Sequence, residues 1–261
     1  MQAGSNQRSK PNRTRLRGNG RPPIPHLPRT NHNQLLAALH SEVLERIHPE
    51  LNLISLPRGS VLHEPGQPLA HIYFLTTCMV SLENIALGGE LAELALIGNE
   101  GAIGVPLILG GEMSLSRAVV HRTGYAYRFT AAALAKELAC CGQLHRLLLL
   151  YTQSLFTHVG QTALCNRYHS VSQQLCRWLL LALDRSDGNR IIMTHELLAN
   201  TLGVRREGIT EAARNLQKRG IIHYSRGRIT VLDRTGLEAL TCECYAVVKA
   251  EHTRLLNRHN A

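Results

Sequence analysis

Apolar and polar positions change rhythm three times along the chain. Residues 33–48 place Leu35, Leu36, Leu39, Val43, Leu44 and Ile47 at steps of three and four, which predicts a short amphipathic helix. From about 51 to 130 short apolar runs (LISL, VLH, HIYFL, MVSLENIAL, LAELALIG, SRAVVH, YAYRF) alternate with turn signals. Strands of this length and spacing predict a small antiparallel sandwich or barrel, with Gly66, Gly88, Gly89, Gly110, Gly111 and Gly124 at hairpin turns. Residues 131–183 read as helix. All ten prolines lie at or before Pro106, in keeping with a β-rich first half and a helical second half. Within the long helix Leu144, Leu148, Tyr151, Leu155, Val159 and Thr162 recur at helical steps, broadened by Leu147 and Leu150. This stripe is expected to form a dimer seam, the other reading being a helix buried inside one domain. Ser186-Asp187-Gly188-Asn189 then marks a turn and a joint.

A compact motif follows. Thr194 suits a helix N-cap and Glu196 favours the first turn. Leu197, Leu198 and Leu202 give a buried side, and Ala199 is small enough for a close helix approach. Gly203 can take the left-handed conformation that ends a helix. Val204 fills the corner, and a second helix starts near Arg205-Arg206 and buries Ile209, Ala212, Ala213 and Leu216. Helix, glycine turn, helix is a helix-turn-helix. Two short strand patterns, Ile221–Tyr224 and Ile229–Leu232, are joined by Ser225-Arg226-Gly227-Arg228, as in a wing. Residues 190–234 thus predict a winged helix-turn-helix that binds DNA. Arg205, Arg206, Glu207, Thr210, Glu211 and Arg214 occupy the polar face of the second helix, and its N-terminal end is the part that enters the major groove. Arginine can bridge guanine O6 and N7, and glutamate can accept from cytosine N4. Arg226 and Arg228 at the wing tip are expected on phosphate, and Thr194 completes the candidate DNA-binding set.

The charge distribution agrees. The formal net charge is +10. Residues 1–41 carry Arg8, Lys10, Arg13, Arg15, Arg17, Arg21 and Arg29 and no acid, and 190–234 are also strongly basic, while the middle is near neutral. Such a balance suits a polyanion. Residues 1–32, rich in Pro, Asn, Gly and Arg, are expected to be a disordered basic arm that wraps DNA, serves as a solubilising tail or is a start-site artefact. No apolar run is long enough to span a bilayer and the start lacks a secretory pattern, so a cytoplasmic protein without membrane contact is expected.

The seven cysteines are expected to be reduced and mostly packed as small apolar residues. Cys242-x-Cys244 suits metal or oxidant chemistry. No second pair at zinc-finger spacing follows and an iron–sulfur pattern is missing, so no metal ligand is assigned. His145, His158 and His169 are expected at the surface or an interface. No phosphate loop or nucleophile elbow is present, so no catalytic residue and no cofactor are assigned.

On these residues the chain resembles the Crp/Fnr family of bacterial regulators over roughly 35–240. LGVRREGITEAARNLQKRGII looks like that family's recognition region, with Arg206 and Glu207 on its Arg-Glu pair. Glu211 falls where members often carry a base-reading arginine. The resemblance implies an α+β chain: an N-terminal antiparallel β-roll (double-stranded β-helix) sensor over 33–140, a long dimerisation helix and hinge over 141–186, and a C-terminal winged helix-turn-helix and tail over 187–261. It further implies a homodimer on double-stranded DNA at a palindromic site with half-sites about one helical turn apart. The sensor departs from the nucleotide-binding pattern. Val105 stands where the ribose-binding glutamate would be, and Ser116-Arg117 reverses the Arg-Ser order, which would send Arg117 to the wrong face of its strand. A degenerate pocket that does not take cyclic nucleotide is therefore expected. The effector is left open and RNA polymerase is a candidate partner. The rival readings are a cyclic-AMP-gated activator and a cupin-like metalloenzyme using His63, His71 and His121.

Overall fold

A computed structural model describes Met1 and residues 27–256. The basic arm expected over 1–32 lies outside the described residues except for its last few. There, Tyr127 Oη donates to the Pro28 carbonyl at 3.1 Å and lays the chain against the first domain.

Two short helices, α1 (Gln34–Ala37) and α2 (Ser41–Ile47), open the fold. Buried Asn33 caps α1 by accepting from Leu35 N and Leu36 N, and its amide donates to the carbonyls of Leu75 and Gly101. Eight strands and one short helix follow: β1 (Asn52–Leu56), β2 (Val61–His63), β3 (His71–Leu75), β4 (Met79–Ile85), β5 (Leu91–Ile97), β6 (Ala102–Ile103), α3 (Val105–Ile108), β7 (Arg117–Arg122) and β8 (Gly124–Thr130). They form two four-stranded antiparallel sheets, in the orders β1-β8-β3-β6 and β2-β7-β4-β5. Inward residues of both sheets, Leu56, Leu75, Val80, Ile97, Ile103, Val120 and Ala126 among them, make an apolar core between the two layers. The expected antiparallel roll is present. Gly124 is an exception to its turn assignment. It lies in β8, where a Cβ would strike the backbone of Thr77 and Cys78, so close strand approach is what requires glycine there.

The stretch expected as one helix is three: α4 (Ala131–Ala139), α5 (Gln143–Tyr168) and α6 (Val171–Asp184). The first break passes through Cys141, whose φ is +47°, and the second ends at Ser170, which with Gln173 forms a reciprocal capping box on α6. Residues 190–256 add β9 (Arg190–Ile192), α7 (His195–Leu202), α8 (Arg206–Lys218), β10 (Ile222–Ser225), β11 (Arg228–Val231), α9 (Arg234–Leu240) and α10 (Glu243–Leu256). α6 shares its core with these later elements: Leu175, Trp178, Leu179 and Ala182 pack with Leu198, Ile209, Leu216, Ile229 and Leu237.

α5 corrects the seam expectation. Leu144, Leu148 and Tyr151 are buried within this chain, and Tyr151 Oη donates to the Ala102 carbonyl at 2.8 Å. The predicted stripe therefore faces the roll. The open face of α5 carries Leu149, Phe156 and Leu164, with Phe156 81% exposed. His158 is likewise not a surface residue. It is buried, and burial lowers its pKa well below the ordinary histidine value. Nor do His63, His71 and His121 assemble. Among the described residues the one group of three or more metal-type side chains lies elsewhere, at Cys165, His169, Cys242 and Cys244.

Candidate nucleic-acid interface

The helix-turn-helix is set by local chemistry. Thr194 accepts from Leu197 N at 3.2 Å and caps α7. Gly203 ends α7 at φ +64°, and Val204 N donates back to the Ala199 carbonyl at 3.0 Å. Ile209, Ala212, Ala213 and Leu216 then hold α8 against α6 and α7, leaving its other face to solvent.

That outer face bears the predicted residues together. Arg205 is the N-cap position of α8, and Arg206, Glu207, Thr210, Glu211 and Arg214 line a shallow trough along it, continued by Asn215 and Lys218. Among the described residues, Arg205, Arg206, Arg214, Arg226 and Arg228 are in no ion pair, although all five are exposed. Arg234 makes the contrast. It donates to Asp184 and Glu238 and is spent on holding α9 against α6. Unpaired exposed guanidinium groups keep their donors for a ligand.

Thr210 is less open than the sequence suggested. Its hydroxyl donates to the Arg206 carbonyl at 3.0 Å and lies 3.1 Å from His195 Nδ1. His195 in turn stacks on Tyr224, with ring centroids 4.0 Å apart. Burial, and then the positive charge of Arg206, lower the His195 pKa and favour the neutral ring. This His195–Tyr224 support escaped sequence reasoning, because a stack between residues 29 positions apart leaves no local pattern.

The wing is a two-residue hairpin. β10 and β11 pair from Ile222↔Val231 to Ser225↔Arg228, and Arg226 (φ +48°) and Gly227 (φ +73°) make the turn. β9 completes a three-stranded sheet. Met193 N donates to the Gly227 carbonyl at 3.0 Å, and Tyr224 N donates to Gln217 Oε1 at 2.8 Å. These bonds fix the wing tip beside the start of α7 and the end of α8. Thr194 therefore stands next to the wing, but its hydroxyl is committed to the cap.

Residues 173–240 match a family model described as a Crp-like helix-turn-helix domain. That segment of the chain is a Crp-like helix-turn-helix domain, a DNA-binding module. A global nitrogen regulator from Synechocystis sp. is 24% identical over 211 residues, which is 75% of this chain and 91% of the relative. The solved structure of FixK2 from Bradyrhizobium japonicum has a TM-score of 0.62 at 17% identity, over 74% of this chain and 98% of FixK2. A CRP/FNR-family regulator from Thermus thermophilus has 0.59 at 21% identity, over 72% and 97%. These structures share the fold of this chain. The matched model is a helix-turn-helix domain and the curated relative is named a regulator, which favours the DNA-binding reading over the metalloenzyme one. Among the described residues no helix is long and apolar enough to cross a membrane.

Proposed function

We propose that this chain is a Crp/Fnr-type transcription regulator that acts in the cytoplasm as a homodimer on a palindromic operator, with α8 of each copy in the major groove and each wing on flanking phosphate. One observation carries the reading: five exposed arginines, in no ion pair among the described residues, are gathered on α8 and the wing. In this reading Arg206 and Glu207 read base edges, with Arg205, Glu211, Arg214 and the Thr210 methyl beside them, while Arg226 and Arg228 grip the backbone. Leu149, Phe156 and Leu164 on the open face of α5 form the dimer contact, and Gly160 between them, where an added Cβ would meet nothing within 4 Å, admits close approach. We divide the chain into a sensor roll, α5 as the dimer helix, and a DNA-binding unit that begins with α6, since α6 shares its core with α7 and α8.

The roll is proposed not to bind cyclic nucleotide. Ala118 and Val120 of β7 point into its core, whereas Arg117 alternates to the other face and lies 3.2 Å from Glu64 Oε1. Val105 offers no acceptor for a ribose. The effector stays unassigned, and RNA polymerase is the natural partner of a bound dimer.

Selection of duplexes from a random pool by the full chain tests the reading. An enriched site with two-fold symmetry and half-sites about 10 base pairs apart is expected. An enriched site without symmetry would refute the dimeric arrangement, and no enrichment would refute sequence reading by α8. Calorimetry with cyclic AMP is expected to show no heat of binding; saturable micromolar binding would restore the gated-activator alternative.

A further inference from the structure

Four side chains of soft-metal type converge where α5 meets the C-terminal helices. Cys165 and His169 stand one turn apart at the end of α5 and so share a side of it. Cys242 immediately precedes α10 and Cys244 lies in its first turn, with Glu243 between them. One ligating atom from each of the four lies within 4.8 Å of all the others. Cys165 Sγ is 3.6 Å from Cys242 Sγ, and Cys244 Sγ is 3.6 Å from His169 Nδ1. The three cysteines are buried and the histidine is mostly so.

Those separations match a single tetrahedral ion. With metal–sulfur bonds of about 2.3 Å and metal–nitrogen bonds of about 2.0–2.1 Å, tetrahedral geometry sets two sulfurs about 3.8 Å apart and sulfur and nitrogen about 3.6 Å apart. A disulfide needs sulfurs about 2.05 Å apart, so the pair is not bonded. An iron–sulfur cluster spreads its ligands over several irons, whereas these four atoms close on one point.

The surroundings fit as well. His169 Nε2 lies 3.3 Å from Glu243 Oε1. A ring that ligates through Nδ1 carries its proton on Nε2 and donates it to that carboxylate, the usual outer support of a metal-bound histidine. Three thiolates and one divalent ion sum to one negative charge. Arg177 is 3% exposed, and its Nη2 donates to Thr162 Oγ1 at 2.6 Å, one turn before Cys165. Its Nε has no partner, and among the described residues it is in no ion pair. A buried guanidinium calls for a counter-charge, and an anionic thiolate site beside it supplies one.

We propose that Cys165, His169, Cys242 and Cys244 hold one divalent ion of the zinc class in a closed Cys3His site. Four protein ligands leave no open position, so the role is structural. The ion ties α10 to the end of α5, next to the joint at which α6 and the DNA-binding elements depart. This revises the sequence expectation of no metal site. The second ligand pair is not a nearby Cys-x-x-Cys but a Cys-x-x-x-His, 77 residues before Cys242, delivered by folding.

The proposal is independent of how DNA is read. Full-length, tag-free protein purified under reducing conditions without chelator is expected to contain about one zinc per chain. Apo protein titrated with Co2+ is expected to give the intense red-region bands of a tetrahedral ion and near-ultraviolet thiolate charge transfer. Cys244→Ser and His169→Ala should each lose metal, while Cys140→Ser and Cys141→Ser, both exposed and remote, keep it. The Co2+ spectrum of the wild-type protein reads the ligands directly, even if a variant folds poorly. Substoichiometric metal both as purified and after reconstitution would overturn the site. So would a six-coordinate Co2+ spectrum, metal content unchanged in both ligand variants, or a Cys165–Cys242 disulfide persisting under reduction.

Discussion

Trp178 on α6 donates its indole N–H to Glu93 Oε1 on β5 at 2.9 Å, and both side chains are buried. Ser81 Oγ lies 2.5 Å from the other Glu93 oxygen. The bond crosses from α6, which shares its core with α7 and α8, to the β-roll, and Arg185 at the end of α6 also meets Glu100 at 2.7 Å. A buried polar bridge of this kind favours one relative placement of the two units, because a slip would strand a carboxyl and an indole N–H.

Burial raises the Glu93 pKa above the ordinary carboxylate range. The folded chain therefore keeps a proton that the unfolded chain releases. Stability linked to this group is complete below the ordinary carboxylate pKa and is lost as pH rises through the raised value. Glu93→Gln cannot ionise, still accepts from Trp178 and can donate to Ser81. Thermal melts between about pH 5 and 8 should show the wild type losing stability with rising pH more steeply than this variant. Parallel curves would assign the pH dependence elsewhere. Trp178→Phe, which leaves the Glu93 oxygen without its donor, should cost about 1–3 kcal/mol in denaturant unfolding.

Gly203 isolates the price of the corner between α7 and α8. Its φ is +64° and an added Cβ would meet nothing within 4 Å. Gly203→Ala thus changes backbone preference alone and should destabilise by about 1–2 kcal/mol. A neutral result in urea unfolding would mean that the corner relaxes into another turn.

The helix-turn-helix and wing were legible because their causes are local. Thr194 caps within three residues, Gly203 closes a turn, and the spacing of Ile209, Ala212, Ala213 and Leu216 gives the buried face directly. The alternating runs likewise revealed the strands, though not which sheet each joins. The α5 stripe shows where periodicity stops being informative. It identified an apolar face, but whether that face meets its own roll or a second copy depends on contacts far away in sequence. The Trp178–Glu93 bridge and the four-ligand cluster are long-range in the same sense: no spacing rule links residue 93 to 178, or 165 to 242.

Arg206 and Arg228 should fail differently when removed. Arg206 sits exposed in the first turn of α8, and loss of a bidentate base contact costs about 1–3 kcal/mol of discrimination. Arg206→Ala is expected to weaken binding to the selected operator and to relax preference at one base pair in each half-site. Arg228 begins β11 beside the wing turn. Arg228→Ala should weaken binding to all duplexes alike and reduce the salt dependence by about one released counterion per chain. Fluorescence anisotropy at several salt concentrations, on operator and scrambled duplexes, separates the two. Operator preference unchanged in Arg206→Ala would remove α8 from the role of reader.

Phe156 tests the proposed dimer. It is 81% exposed in mid-helix, so its own fold gains little from it, and Leu149 stands two turns before it on the same open face. If a second copy covers that face, each Phe156 contributes about 1.5–3 kcal/mol of burial, twice over in a symmetric pair. Phe156→Glu forfeits this and sets two carboxylates against each other across the axis. The variant should keep its melting transition, sediment as a monomer at concentrations where the wild type is a dimer, and lose affinity for the symmetric operator while retaining weak half-site binding. An unchanged sedimentation profile would move the dimer contact off α5. With it would go the argument that this helix sets the spacing between two recognition helices.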